Sequence, residues 1–226
     1  MSIKTRALVF STFFGSCIAI GLLLVSLTTN YWVRASPKRY NTSESFGNVN
    51  YGLFFGNRDL NVGYGNRPDA VNVYTFITSE PDVMSFWLWL VTALGTGFGL
   101  LSCAIAAIAS VIKAASASKK RGTMILLFVS NISSASSQIV AFACWVIQFY
   151  QYLTHNVLSL KDRTKMRWYS HGTASFGFSF FMLVLSILVV LINIIVLIYA
   201  KRREHREDHR FEPPSEEKNQ SAIMLY

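Results

Sequence analysis

The sequence predicts an all-α membrane protein, a bundle of four transmembrane helices with a small extracellular β-sheet formed by the first loop. Only 15% of its residues are charged, whereas soluble domains average about 25%. Asp, Glu, Lys and Arg are absent from four long windows, at residues 7–33, 83–112, 122–160 and 168–200. A helix needs roughly 20 apolar residues to cross a bilayer, and each window is longer than that.

These windows set the order of segments along the chain. They are a cytoplasmic N-terminus at 1–6, helix 1 at 7–29, extracellular loop 1 at 30–83, helix 2 at 84–112, a cytoplasmic loop at 113–122, helix 3 at 123–150, extracellular loop 2 at 151–172, helix 4 at 173–200 and a cytoplasmic tail at 201–226. The first apolar run is longer than the roughly 7–15 residues of a signal peptide core, so we expect a retained helix.

The distribution of basic residues predicts the orientation. Lys and Arg crowd the connection at 113–122 and the segment that follows residue 200, and short basic loops stay cytoplasmic. Both termini are therefore expected in the cytoplasm of a plasma-membrane protein. The connection at 151–172 is also basic, which weighs against this orientation. The net charge of +9 is explained by topology, so no nucleic-acid partner is expected.

Loop 1 carries a glycosylation signal and several short strand patterns. Asn41 opens an Asn-Thr-Ser sequence, which is glycosylated only on the lumenal side. Strand-like runs occur at Tyr31–Ala35, Val49–Phe55 and Val71–Ile77. The loop has no cysteine, and the three cysteines of the chain lie within predicted helices, so no disulfide is expected. The tail after Ala200 is polar and contains two prolines, which predicts disorder.

Small and polar side chains line the predicted helices. Gly95 and Gly99 have the GxxxG spacing of close helix packing, whereas Asn131, Gln138 and Asn193 are polar. The polar residues could line a pathway for a solute, but we favour hydrogen bonds between helices, with Gln138 and Asn193 holding helices 3 and 4 in register. The glycines pack within the monomer or form the face of a homo-oligomer.

Catalysis is not expected. Apart from cysteines, tyrosines and the helix-end His155, the membrane segments lack the ionisable side chains that pumps and membrane enzymes use. The chain also has no phosphate-binding glycine loop or nucleophile elbow. His205 and His209 have a spacing that could hold a metal, but the Arg and Glu around them favour a solvated face. We therefore predict no enzyme activity, no cofactor and no metal.

The last three residues, Met224, Leu225 and Tyr226, form an apolar end after a polar tail. A terminal carboxylate behind alternate apolar side chains can add as a strand to a PDZ domain. These residues are therefore predicted to bind a cytoplasmic scaffold, with simple disorder as the alternative.

The order of parts resembles the claudin-like superfamily, which has a Trp after helix 1 and a Gly-Leu-aromatic element in loop 1. Trp32 and the segment Gly52-Leu53-Phe54 occupy these places, without the superfamily's cysteine pair. The clarin family is a closer resemblance, because its Tyr-Gly-Leu-Phe-x-Gly motif is present as Tyr51, Gly52, Leu53, Phe54, Phe55 and Gly56.

This resemblance implies a plasma-membrane protein that organises the membrane and cortical actin around other proteins, in sensory cells and synapses of vertebrates. Its expected partners are the lipid bilayer, other membrane proteins and a PDZ-type scaffold. The first alternative is an auxiliary channel subunit or a claudin-like adhesion protein. A pore lined by Asn131, Gln138 and Asn193 comes next, and a membrane enzyme last.

Overall fold

The computed structural model of the chain describes residues 3–40, 45, 47–61, 68–115 and 121–210. This part is mostly helical, with a small sheet and four helices that are long and apolar enough to cross a membrane. The helices are α1 (Ile3–Thr28), α2 (Val73–Ser79), α3 (Phe86–Ala115), α4 (Arg121–Gln148), α5 (Leu160–Thr164) and α6 (Phe178–Arg210). The strands are β1 (Val33–Ala35), β2 (Lys38–Arg39), β3 (Gly47–Tyr51), β4 (Phe55–Leu60), β5 (Pro68–Asn72), β6 (Trp168–Tyr169) and β7 (Ala174–Phe176).

The four long helices form a closed bundle in which each packs against two neighbours. Helix α1 packs against α3 and α6, and α4 packs against the same two helices. A π-helical turn, Phe149–Leu153, extends α4 towards the sheet. This arrangement encloses one main core, which runs from the sheet into the bundle.

Small polar side chains are buried inside the bundle beside the apolar core, and large apolar side chains cover its outside. On α1 the buried positions include Thr12, Ser16 and Ser26, whereas Phe14 and Ile18 are more than half exposed. Small polar side chains let helices approach closely and bond to one another, and large apolar side chains on the outside suit contact with lipid. This pattern supports the membrane interpretation of the sequence independently of helix length.

The two connections at the sheet end of the bundle, residues 29–85 and 154–177, are here called the first and second outer connections, and both contribute to the β-structure. The main sheet is antiparallel with the strand order β5-β4-β3-β1-β7, and β2 pairs with β6 in a second, two-stranded sheet. The prediction of a sheet formed by loop 1 alone was therefore incomplete, because β6 and β7 come from the second connection. The predicted strand at Val49–Phe55 is also divided, since a turn separates β3 from β4.

Three local predictions were wrong. The alternating run Val71–Ile77 is β5 only as far as Asn72, whose side-chain oxygen accepts hydrogen bonds from the amides of Tyr74 and Thr75 and thereby caps α2. Residues 173–177, expected to begin helix 4, instead include β7. The tail segment 201–210, expected to be disordered, continues α6 as helix.

Candidate functional site

The segment Tyr51–Gly56 lies where the sheet meets the helices. Tyr51 is fully buried, stacks on Phe76 at a ring separation of 5.3 Å and donates its hydroxyl to the carbonyl of Val157 at 3.0 Å. Burial raises the pKa of this phenol above its ordinary value, so it stays a protonated donor. Tyr51 therefore joins β3 to the second outer connection.

Gly52 and Gly56 are the points of closest approach in this segment. A Cβ on Gly52 would lie 2.6 Å from the carbonyl oxygen of Thr29 and 2.8 Å from the Cα of Asn30. A Cβ on Gly56 would lie 2.5 Å from the ring of Tyr51. Any side chain at Gly52 would push the sheet away from the end of α1, because the atoms that it meets are backbone.

Trp32 and Leu53 attach this segment to the helices. The indole of Trp32 is buried, donates to the carbonyl of Ser26 at 2.7 Å and packs edge-on against Trp145 at 4.9 Å. The carbonyl of buried Leu53 accepts from the indole of Trp89 on α3 at 2.7 Å. Trp32 also lies edge-on to Phe180 on α6, at a ring separation of 6.3 Å. Trp32 and the segment Tyr51–Gly56, here called the junction, therefore contact all four long helices.

A charged cluster holds the second outer connection against the sheet. Arg58 on β4 donates to the carboxylate of Asp162 on α5 at 2.5 Å and to that of Asp69 on β5 at 2.6 Å. Asp162 also accepts from the hydroxyl of Ser159 at 2.7 Å. Burial lowers the pKa of Arg58, but the hydrogen bond to Asp69 and the charge of Asp162 outweigh it and raise the pKa overall. Sequence reasoning missed this cluster, because its members are far apart in the chain.

Predicted helices 2 and 3 are α3 and α4 in the structure, and their predicted packing residues lie where these two helices meet. A Cβ on Gly95 would lie 2.9 Å from the carbonyl of Ser137, and one on Gly99 would lie 2.8 Å from Gln138. Gln138 itself donates to Ser134 within α4, and Ser134 in turn donates to the carbonyl of Gly99 at 3.0 Å. Ser134 is therefore a direct polar link between these helices, as are Thr92 with the carbonyl of Ala141 and Ser102 with Ser133.

The prediction that Gln138 and Asn193 hold predicted helices 3 and 4, which are α4 and α6, in register was wrong. Asn193 on α6 donates to α1, at 3.3 Å from both the carbonyl of Thr12 and the hydroxyl of Ser16. Gly15 makes this possible, because any Cβ there would collide with the Asn193 side chain. Asn131 donates to the carbonyl of Leu127 within its own helix at 2.8 Å. The polar faces therefore serve contacts inside the bundle.

Four exposed aromatic side chains lie on the segments that meet where the sheet joins the start of α3, and this set is here called the aromatic patch. Its members are Phe54 (41% exposed), Phe55 (60%), Tyr74 (54%) and Trp87 (72%). The amide of Val73 donates to the carbonyl of Phe54, which brings the start of α2 to the turn between β3 and β4. The ring centroids of Tyr74 and Phe86 lie 6.4 Å apart, and Phe86 directly precedes Trp87 in α3. Sequence reasoning placed Phe54 in a motif and missed the patch, which only the turn assembles.

The remaining predicted residues carry little structural information. Asn41 and the segment Met224–Tyr226 lie outside the described residues. Cys17, Cys103 and Cys144 are free thiols within the helices. Within the described part of the chain, no three His, Cys, Asp or Glu side chains lie close enough to share a metal ion.

The fold and the junction together define a four-helix protein with membrane-length helices and a β-sheet at one end of its bundle. Searches of protein-family models and of curated proteins found no match to this chain.

Proposed function

We propose that the chain is a clarin-like organiser of the plasma membrane, with the sheet outside the cell and both termini in the cytoplasm. The arrangement of charge supports this orientation. Lys4, Arg6 and Lys113 lie at the helix ends away from the sheet, together with the basic segment 201–210 of α6. Basic helix ends are retained on the cytoplasmic side.

The observation that carries the proposed function is the aromatic patch. It lies where α3 begins, at the boundary between the sheet and the bundle, and therefore at the expected level of the outer membrane surface. Exposed aromatic side chains are the residue type that interfaces favour most. A second membrane protein with an apolar helix and an outer domain would contact both the patch and the sheet.

The geometry of the junction supports such a role, because it makes the sheet a rigid platform. Tyr51, Trp32 and Leu53 tie the platform to the helices by buried hydrogen bonds. A partner that binds a rigid surface does not lose affinity to the ordering of loops. The link to cortical actin, sensory cells and synapses follows from the clarin resemblance and is part of the proposal. Scaffold binding by Met224–Tyr226 stays a prediction.

The test uses a photo-crosslinking amino acid at single positions in the full chain, expressed in cells. Trp87 and Phe55 report on the patch, and Tyr169 on β6 is the matched control, because it is aromatic, 52% exposed and outside the patch. Crosslinks to the same membrane proteins from Trp87 and Phe55, and not from Tyr169, are expected. Crosslinks from the patch to lipid alone would contradict the proposal.

A further inference from the structure

A groove lies between α1 and α3 at the end of the bundle that carries the basic residues. It has a volume of about 400 Å³ and is lined by residues that include Ile3, Arg6 and Phe10 from α1, and Val111 and Ala114 from α3. The outer walls are apolar and exposed, since Ile3 is 84% and Phe10 42% exposed. A groove of this character is suited to a hydrocarbon chain.

Arg6 makes the groove unlike an ordinary gap between helices. Its Nε atom is buried and has no hydrogen-bond partner among the described residues. Neither α1 nor α3 contains an Asp or a Glu. A guanidinium whose N–H is withdrawn from water without an acceptor is unfavourable, so an anionic ligand with acceptor oxygens would complete the site.

A carboxylate on α6, which packs against α1, is already engaged. Glu204 of α6 pairs with the buried ammonium of Lys113 at 3.9 Å. The basic segment that begins at Lys201 further raises the positive charge of this end. Anionic lipids of the cytoplasmic leaflet are drawn to basic sites next to membrane helices.

We infer that this groove binds an anionic glycerophospholipid, with its anionic headgroup against Arg6 and an acyl chain against Phe10, Val111 and Ala114. The inference depends on the four helices crossing a membrane, and it is independent of the partner proposed for the aromatic patch. The bound lipid would fill the space between α1 and α3 and supply the acceptor that Arg6 lacks.

The test is native mass spectrometry of the full chain in detergent with equal amounts of phosphatidylserine and phosphatidylcholine that carry identical acyl chains. Wild type is expected to retain phosphatidylserine preferentially. R6Q should lower this preference by about tenfold, the factor for losing one hydrogen bond to a charged group. K4Q is the matched control, because it removes the same charge from an exposed side chain two residues away, and it should retain most of the preference.

A second pair of variants tests the acyl chain. A114F fills the α3 wall of the groove, and I112F adds an aromatic ring to the same helix at an exposed position outside the lining. Loss of lipid in A114F with retention in I112F is expected, for variants that remain monodisperse and unfold at the wild-type temperature.

Three results would overturn the inference. R6Q could retain the wild-type preference for phosphatidylserine. R6Q and K4Q could instead lower the preference equally, and this second result would indicate diffuse attraction of the lipid to basic residues. Displacement of the lipid by excess inorganic phosphate would indicate an ion site without a role for the groove.

Discussion

The charged cluster of Arg58 predicts a measurable coupling between the sheet and the second outer connection. Replacing Arg58 with Met keeps the length and much of the packing of the side chain but removes both ion pairs. The side chain of Asp162 is 5% exposed and that of Arg58 is 18% exposed. The substitution therefore leaves a buried carboxylate with Ser159 as its remaining side-chain donor.

The size of the destabilisation expected for R58M follows from the burial of Arg58 and Asp162. Removing one partner of a buried pair costs about 3–5 kcal/mol, and the partial exposure of Arg58 reduces this to about 2–4 kcal/mol. Asp69, at 59% exposed, forms a surface pair that is worth about 0–1 kcal/mol. We therefore expect R58M to destabilise the protein strongly and D69N only slightly.

The assay is thermal unfolding of the purified chain in detergent, combined with hydrogen exchange of residues 156–170. The double variant R58M/D162N is the decisive control, because it leaves no unpaired charge at this position and should be less destabilised than the sum of its single variants. Hydrogen exchange should accelerate in R58M and stay near the wild-type rate in D69N. Equal stability of R58M and D69N would refute the assignment of the buried pair.

Three further predictions concern the junction and the bundle. G52A should destabilise the protein by about 1–3 kcal/mol, because the added methyl group meets backbone atoms. In the same unfolding assay the control G97A, which has open space around it, should fall within about 1 kcal/mol of wild type, and equal effects of the two variants would contradict the close approach at Gly52. Because the pKa of Tyr51 is raised, the stability that its protonated phenol contributes is present below pH ~10 and lost above it. Unfolding measured over a pH series should therefore show an alkaline loss of stability in wild type that Y51F lacks, and identical pH profiles would contradict this. N193L should lower the free energy of unfolding by about 0.5–2 kcal/mol, which is more than N131L should, because the amide of Asn131 bonds within its own helix. A lower unfolding temperature for N131L than for N193L would contradict the contact of Asn193 with α1.

The helices were predictable because a bilayer constrains composition over long segments. Charge-free windows mark four apolar helices whatever their neighbours are. The choice of neighbours was not predictable, since Asn193 could have bonded to any adjacent helix and Gly15 decided the outcome. The helix at Val73–Ser79 was predictable in part: Asn72 is a favoured N-cap, and the buried residues Val73, Phe76 and Ile77 have helical spacing.

The sheet and the site depend on contacts between distant segments. Strand β7 pairs with β1 across more than a hundred residues, and short strands carry little signal of their own. The motif that resembles clarins indicated Tyr51 and Gly52 but not their roles. Tyr51 makes a buried hydrogen bond, and Gly52 allows the sheet to reach the end of α1. The aromatic patch was not predictable because its residues meet only after that turn has formed.

The proposed position of the sheet outside the cell, opposite the basic helix ends, is tested most directly by the glycosylation of Asn41. Wild type expressed in cells should shift on a gel after glycosidase treatment, and N41Q should not shift, because Asn41 belongs to the segment between β2 and β3. N219Q should behave as wild type, since Asn219 follows the basic segment of α6. A shift that persists in N41Q and disappears in N219Q would place the tail outside and contradict the proposed orientation.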